Sequence, residues 1–354
     1  MLARILSTEE IGLVGAVAIF QAFAALVIDS GFSFALLQRK EPTELDYSTV
    51  LWFNLFMSAA LYAVLYFCAP WIAMLFQNDP RLIGLSRGMF LVLILNASAI
   101  VQINRLMKKM DVRMVAAANS AGLFLGGIVG IVLAVEGFGA WAIVWQTLVI
   151  AAVKSLVLWI TCRWRPLFRF SFSSLRSFSG VAARMMGTSF LNTVFLNLYG
   201  FVIGNRVGLS SLGYYSQSDK WSKMGISSLS QVLTSTFVPA LSNVQDDPER
   251  FIRISSRMNR FTAYLLMPAM IGLMVLARPA FHFLFGTKWD PSIVLFQLLS
   301  FRGIFVVLNS LYNNYLLARG EAGVIIKMEV FRDTVALIAL FVALPFVGMS
   351  TPPP

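Results

Sequence analysis

The side chains best equipped for chemistry in this chain are cations set in apolar sequence. Arg302 falls near the middle of the apolar stretch 292–317. A guanidinium so placed needs a carboxylate, an anionic ligand or water, and its planar fork grips phosphate oxygens bidentately. A fixed structural partner such as a helix-end carbonyl is the competing role. Between 213 and 241, Ser216, Lys220, Lys223, Ser227, Gln231 and Thr234 recur at steps of three and four, which places them on one helical face. Trp221, Met224, Leu229, Val232, Leu233 and Phe237 are left for the apolar remainder. Such a stripe lines water or packs against another polar helix, and two lysines make it cationic. Asp219 precedes Lys223 at the spacing of a helical ion pair; a role with a coupled ion or a gate is its other reading.

Uncharged hydrogen-bonding groups accompany the cations. Asn192, Thr193 and Asn197 lie in 182–205, and Asn309, Asn313 and Asn314 in 292–317. They read either as ligand contacts or as interhelical glue worth about 0.6 kcal/mol each. The candidate ligand-binding set is Arg302, Lys220, Lys223, Gln231, Asn197 and Asn313, with Asp29 and Asp219 as ion or gating candidates. Asp29 precedes Ser30 and Gly31, where a helix can loosen. Metal and cofactor chemistry is not expected: His282 is the one histidine, and Cys68 and Cys162 are the only cysteines. Gly122, Gly126 and Gly130 have small-xxx-small spacing in an apolar run, which reads as close helix packing rather than a nucleotide loop.

The elements that must position these residues are membrane helices. Of 354 residues 58% are hydrophobic and only 13% charged, and the mean hydropathy is +0.75. That composition excludes a disordered chain and argues against a soluble enzyme. A net charge of +11 could serve a nucleic-acid binder, but the highly charged soluble scaffold of such proteins is missing. In a membrane protein the excess belongs in cytoplasmic loops. Apolar stretches bounded by charge give about ten transmembrane helices, near 11–38, 49–77, 82–104, 115–135, 141–162, 182–205, 213–241, 261–284, 292–317 and 322–348. The 213–241 segment is the most polar of them.

Topology follows from Lys and Arg. Eighteen fall in one set of alternate loops (39–48, 104–114, 163–184, 250–260 and 319–332) and eight in or near the other. The first set is placed in the cytoplasm, with both termini outside. Cys68 and Cys162 then end on opposite sides, which argues against a disulfide. An internal repeat is also legible. Arg4 to Gly12 resembles Arg206 to Gly213, and Ala69 to Pro80 resembles Pro279 to Pro291, in the same order and at offsets near 200 to 210. The second copy has a helix before Arg206, so one is expected before Arg4, and the chain reads as truncated at both ends. The organisation expected is an N-terminal lobe 1–162, a linker 163–181, a C-terminal lobe 182–349 and a tail 350–354. The linker interleaves arginine with aromatic residues and has no acid, which fits an interfacial helix on the anionic leaflet or a plain positive-inside connection.

Three stretches carry a family resemblance: Ile28 to Lys40, Leu212-Gly213-Tyr214-Tyr215 through Lys220, and Phe237 to Ser242 with Gln245 to Glu249. They resemble bacterial polysaccharide biosynthesis proteins, the O-antigen and exopolysaccharide repeat-unit flippases of the multidrug/oligosaccharidyl-lipid/polysaccharide exporter superfamily. The resemblance implies an all-α polytopic fold of two pseudo-repeated bundles around a central cavity, in the cytoplasmic (inner) membrane. It implies export of an undecaprenyl-diphosphate-linked oligosaccharide by alternating access, with polysaccharide polymerase machinery as a partner. No catalytic residue is implied. An ion-coupled multidrug or small-molecule antiporter of the same superfamily is the alternative, though organic cations would favour embedded carboxylates over cations. A membrane enzyme fits less well, because no acid pair or large extramembrane loop is present.

Overall fold

The computed structural model describes residues 2–29, 31–242, 247–318 and 322–347; the tail 350–354 lies outside them. Among the described residues the regular structure is helical: α1 (Leu2–Ile5), α2 (Thr8–Asp29), α3 (Phe32–Gln38), α4 (Glu44–Leu75), α5 (Arg81–Lys108), α6 (Val112–Val135), α7 (Ala140–Cys162), α8 (Phe172–Arg206), α9 (Leu209–Ser242), α10 (Pro248–Val275), α11 (Ala277–Phe285), a 3₁₀ turn (Thr287–Trp289), α12 (Asp290–Ala318) and α13 (Ala322–Val347). Among the described residues, eight helices are long and apolar enough to cross a membrane. Their outward faces carry large apolar groups, with Phe67 77%, Phe124 70% and Phe305 59% exposed. Such exposure suits lipid and not water. The protein is a multi-pass membrane protein. α9 falls outside the eight because of its polar stripe.

Helix ends follow local chemistry. Thr43 and Asp46 form a reciprocal capping box that starts α4, with bonds of 3.2 and 2.9 Å. Asp247 accepts from the Arg250 amide at 3.0 Å and Pro248 takes the first turn, so the Asp-Pro pair starts α10. At Gly31, φ of 74° breaks α2 from α3, and a side chain there would meet the Ala182 carbonyl. Gly122, Gly126 and Gly130 face Gln146 and Ile150 of α7 so closely that a Cβ on any of them would lie within 3 Å of a neighbouring atom. That is the close packing their spacing predicts.

The residues divide into two compact units, 1–213 and 214–354. α8 belongs with the first, where it packs on α2, α3 and α4. In the first unit Phe32, Leu36, Tyr47, Val50, Leu51, Val101, Trp164 and Phe178 form one core cluster. In the second, Met258, Leu266 and Met270 of α10 pack on Ile304, Val307, Leu311 and Tyr315 of α12. The segment 163–181 is not a single separate helix. Residues 163–171 are non-helical, and from Phe172 the chain runs directly into the 35-residue α8. Its hydrogen-bonding groups are taken by α4 instead: the Trp52 indole donates to the Leu167 carbonyl at 2.9 Å, and the Leu167 amide donates to Ser48 at 2.9 Å.

The first unit gathers its charges at its two ends. Glu44, Arg105 and Trp164 join at one end, with Arg105 to Glu44 at 2.7 Å and Trp164 to Glu44 at 2.5 Å. Lys108 donates to the carbonyls of Leu37 and Arg39 there. These residues belong to three of the loops assigned to the cytoplasm. An impermeant thiol reagent added outside intact cells should leave a cysteine at the exposed Lys109 unlabelled, and labelling it would overturn the topology.

At the opposite end Arg81 binds Asp79 at 2.6 Å and also pairs with Glu9. The Arg81 hydrogen bonds hold the Asp79 carboxyl below the ordinary carboxylate range, against some opposing burial. A depressed carboxylate contributes stability above its unfolded pKa and loses it as pH falls through the folded pKa. Arg81→Gln should therefore lower the melting temperature at pH 7 by the equivalent of no more than about 1 kcal/mol, since the guanidinium is half-exposed. The gap to wild type should close under acid; a gap that widens on acidification would contradict the assignment.

Candidate functional site

The cations singled out in the sequence lie on α9 (Lys220, Lys223) and α12 (Arg302) of the second unit. The two helices touch at two levels, in the same chain order. Ser218 donates to the Ser292 carbonyl at 2.9 Å, and further along Ile226 presses on Gly303, where a Cβ would lie 2.5 Å from the isoleucine side chain. Those two levels put Lys223 within about one helical turn of Arg302 along the pair. α12 passes the test for a membrane span, so it holds the polar α9 at the same depth.

Arg302, Lys220, Lys223 and Gln231 are all exposed on the second unit, and Asn313 is half-buried about 16 Å beyond Arg302 along α12. Lys223 pairs with Asp219 at 2.6 Å in the i,i+4 geometry, so the ion-pair reading of Asp219 holds in this structure. No hydrogen bond or ion pair joins Arg302 or Lys220 to a described residue. A central arginine costs about 2.5–3.5 kcal/mol on insertion scales, and an anion or water must offset that here. The side chain of Thr234, the last residue of the expected stripe, lies outside the described residues.

α9 departs from a simple two-faced helix. The side turned to its own unit is polar as well: Gln217, Ser218 and Ser222 are buried, while Met224, assigned to the apolar remainder, is 56% exposed. Ser222, Ser300 and the Trp221 indole are buried without a partner among the described residues. A contact of small hydroxyls, Ser218 with Ser292, thus lies between α9 and α12. The Leu212-Gly213-Tyr214-Tyr215 stretch helps to build it, because the Tyr214 carbonyl accepts from both Ser218 and Ser292 and its ring packs on buried Trp289.

The remaining candidates fall in the first unit. Asn197 lines a cavity of about 210 Å³ with Phe20, Phe23 and Phe201, and its amide donates to the Thr193 carbonyl at 2.8 Å. Asp29 accepts from the amide and hydroxyl of Ser33, which tie it to the start of α3, and Ser33 in turn accepts from Asn104 at 3.0 Å. Sequence reasoning passed over Asn54 and Gln102, which are wholly buried in this unit with all their amide atoms unpaired among the described residues. Polar residues inside predicted spans were the signal, and both carry it. No group of three or more potential metal ligands occurs among the described residues. His282 bonds Asp290 at 2.6 Å, and both cysteines are free.

The chain and its helical scaffold have counterparts among known proteins. The sequence pattern of the polysaccharide biosynthesis protein family matches residues 1–294. The chain belongs to that family. As a family member it is 29% identical over 94% of its length to the succinoglycan biosynthesis transport protein ExoT of Rhizobium meliloti (strain 1021). It is 24% identical over 85% of its length to the teichuronic acid biosynthesis protein TuaB of Bacillus subtilis (strain 168). The lipopolysaccharide biosynthesis protein WzxC of Escherichia coli (strain K12) is 24% identical over 97% of it. The chain spans 67%, 62% and 70% of these three relatives respectively.

The fold of this family member is shared with transporters of known structure. An inward-facing multidrug resistance MATE family transporter of the MOP superfamily aligns with a TM-score of 0.72 at 14% identity, covering 94% of this chain and 82% of that one. The lipid II flippase MurJ in an inward closed conformation aligns at 0.68 and 17% identity, covering 90% and 73%.

Proposed function

We propose that the chain moves an undecaprenyl-diphosphate-linked oligosaccharide from the cytoplasmic to the outer leaflet of a bacterial inner membrane by alternating access. It acts as a carrier for polysaccharide biosynthesis and performs no chemical step; a polymerase that consumes the exported unit is its natural partner. The observation that carries this reading is the set of exposed cations on α9 and α12, Lys220, Lys223 and Arg302. Asp219 of α9 is already bonded to Lys223 and Asp290 of α12 to His282, which leaves Arg302 and Lys220 unpaired among the described residues. The surplus of two positive charges matches the roughly two negative charges of a diphosphate. Each such charge moved outward through an inside-negative potential releases about 2.3 kcal/mol per 100 mV, so the potential favours export.

The antiporter alternative finds less support. An organic cation would need an embedded carboxylate, and the two candidates are engaged, Asp29 with Ser33 and Asp219 with Lys223. The likeness to a multidrug transporter is one of fold. Proteoliposomes containing the chain and a diphosphate-linked oligosaccharide test the choice. Exposure of the sugar to an impermeant glycosidase should exceed that in empty vesicles and rise with a potential negative on the substrate's starting side. A rate equal to that of empty vesicles, with organic-cation efflux in its place, would reverse the reading.

A further inference from the structure

We propose that the strap 163–172, at the end of the first unit that holds the charge-rich loops, is a docking surface for anionic phospholipid headgroups of the cytoplasmic leaflet. The strap is built to turn its side chains outward. Its main chain is fastened to α4 by the bonds of Leu167 to Trp52 and Ser48, and by the Ser171 amide donating to Thr49 at 3.2 Å. Ser48 and Thr49 are fully buried, so the buckle is internal. With the backbone satisfied inward, Phe168 is left 90% exposed and Phe172 79% exposed. Leu167 and Phe170 are exposed beside them. Trp164 alone turns in, to Glu44.

Rings so exposed are costly in water and too close to charge for the hydrocarbon centre. The headgroup layer accepts both. Arg165 and Arg169 are exposed between the rings, Arg176 follows on α8, and no acidic residue occurs from 163 to 181. Trp52, Phe168, Arg169 and Phe170 frame an open hollow of about 240 Å³. Aromatic walls beside a guanidinium suit a glycerophosphate, with the rings against glycerol and upper acyl carbons and the cation against phosphate. The basic charge complements the anionic lipid of the cytoplasmic leaflet, which commits the surface to that occupant. The surface would anchor the junction between α7 and α8, and it is independent of the transport reading.

The test places a bimane label on an introduced Ser173→Cys, in a chain whose Cys68 and Cys162 are replaced by alanine, reconstituted in nanodiscs. Ser173 is exposed at the start of α8. Brominated phosphatidylglycerol should quench the label at lower mole fraction than brominated phosphatidylcholine. Arg165→Gln with Arg169→Gln should reduce that preference about 30-fold, at roughly fivefold per arginine near an anionic surface. In the parent chain 1 M NaCl should erase it, because the screening length falls to about 3 Å. That salt titration decides the matter even if the double variant folds poorly. Equal quenching by both lipids, no quenching by either, or a preference that survives salt would each overturn the proposal.

Discussion

Gly12→Ala is expected to cost about 3 kcal/mol, near the upper end for overpacking, and to deplete folded protein in the membrane. A Cβ on Gly12 would lie 1.8 Å from the Leu209 carbonyl oxygen. The reciprocal clash exists: a Cβ on Gly213 would lie 2.0 Å from the Thr8 carbonyl oxygen. Thr8 and Leu209 are the first residues of α2 and α9, so the obstacle is main chain in both directions and no rotamer change relieves it. Gly127→Ala is the control. It lies inside α6 with nothing within 4 Å of its Cβ position, and alanine there should gain about 0.5–1 kcal/mol of helix propensity. Thermal melting of the two variants in detergent should separate in opposite directions. A Gly12→Ala protein as stable as wild type would mean that the α2–α9 crossing is looser than described.

The same contact shows how much could be read without coordinates. The resemblance of Arg4 to Gly12 and Arg206 to Gly213 marked these two glycines as equivalent, and the structure sets them against each other. Helix positions were legible because charge brackets long apolar runs, and a spacing of four predicted the glycine face of α6. Other features were not legible, for physical reasons. The strap 163–171 has an amphipathic composition that suits a helix, but its amides bond to Ser48 and Thr49, more than a hundred residues earlier. Periodicity cannot report a partner so distant. Gln217, Ser218 and Ser222 have the composition of the polar stripe, yet all three are buried, Ser218 against Ser292. α8 reads as the first helix of a second lobe, yet its packing on α2, α3 and α4 places it in the first unit, and Asn197 goes with it.

Diphosphate binding through Arg302 is tested most directly by flipping per molecule of membrane-inserted protein in Arg302 variants. Arg302→Ala should lower it about 30-fold, the equivalent of about 2 kcal/mol for hydrogen bonds to a charged group. Arg302→Lys should remain impaired despite its charge, because an ammonium offers a point charge where the guanidinium offers a fork. Lys220→Ala should have a smaller effect, as one of two lysines on the stripe. Proteoliposomes matched for inserted protein, with appearance of the oligosaccharide in the far leaflet as the readout, give the number. The account predicts loss of flipping at unchanged abundance. Full flipping per molecule with Arg302→Ala, whether or not abundance falls, would contradict it and leave Arg302 a structural residue.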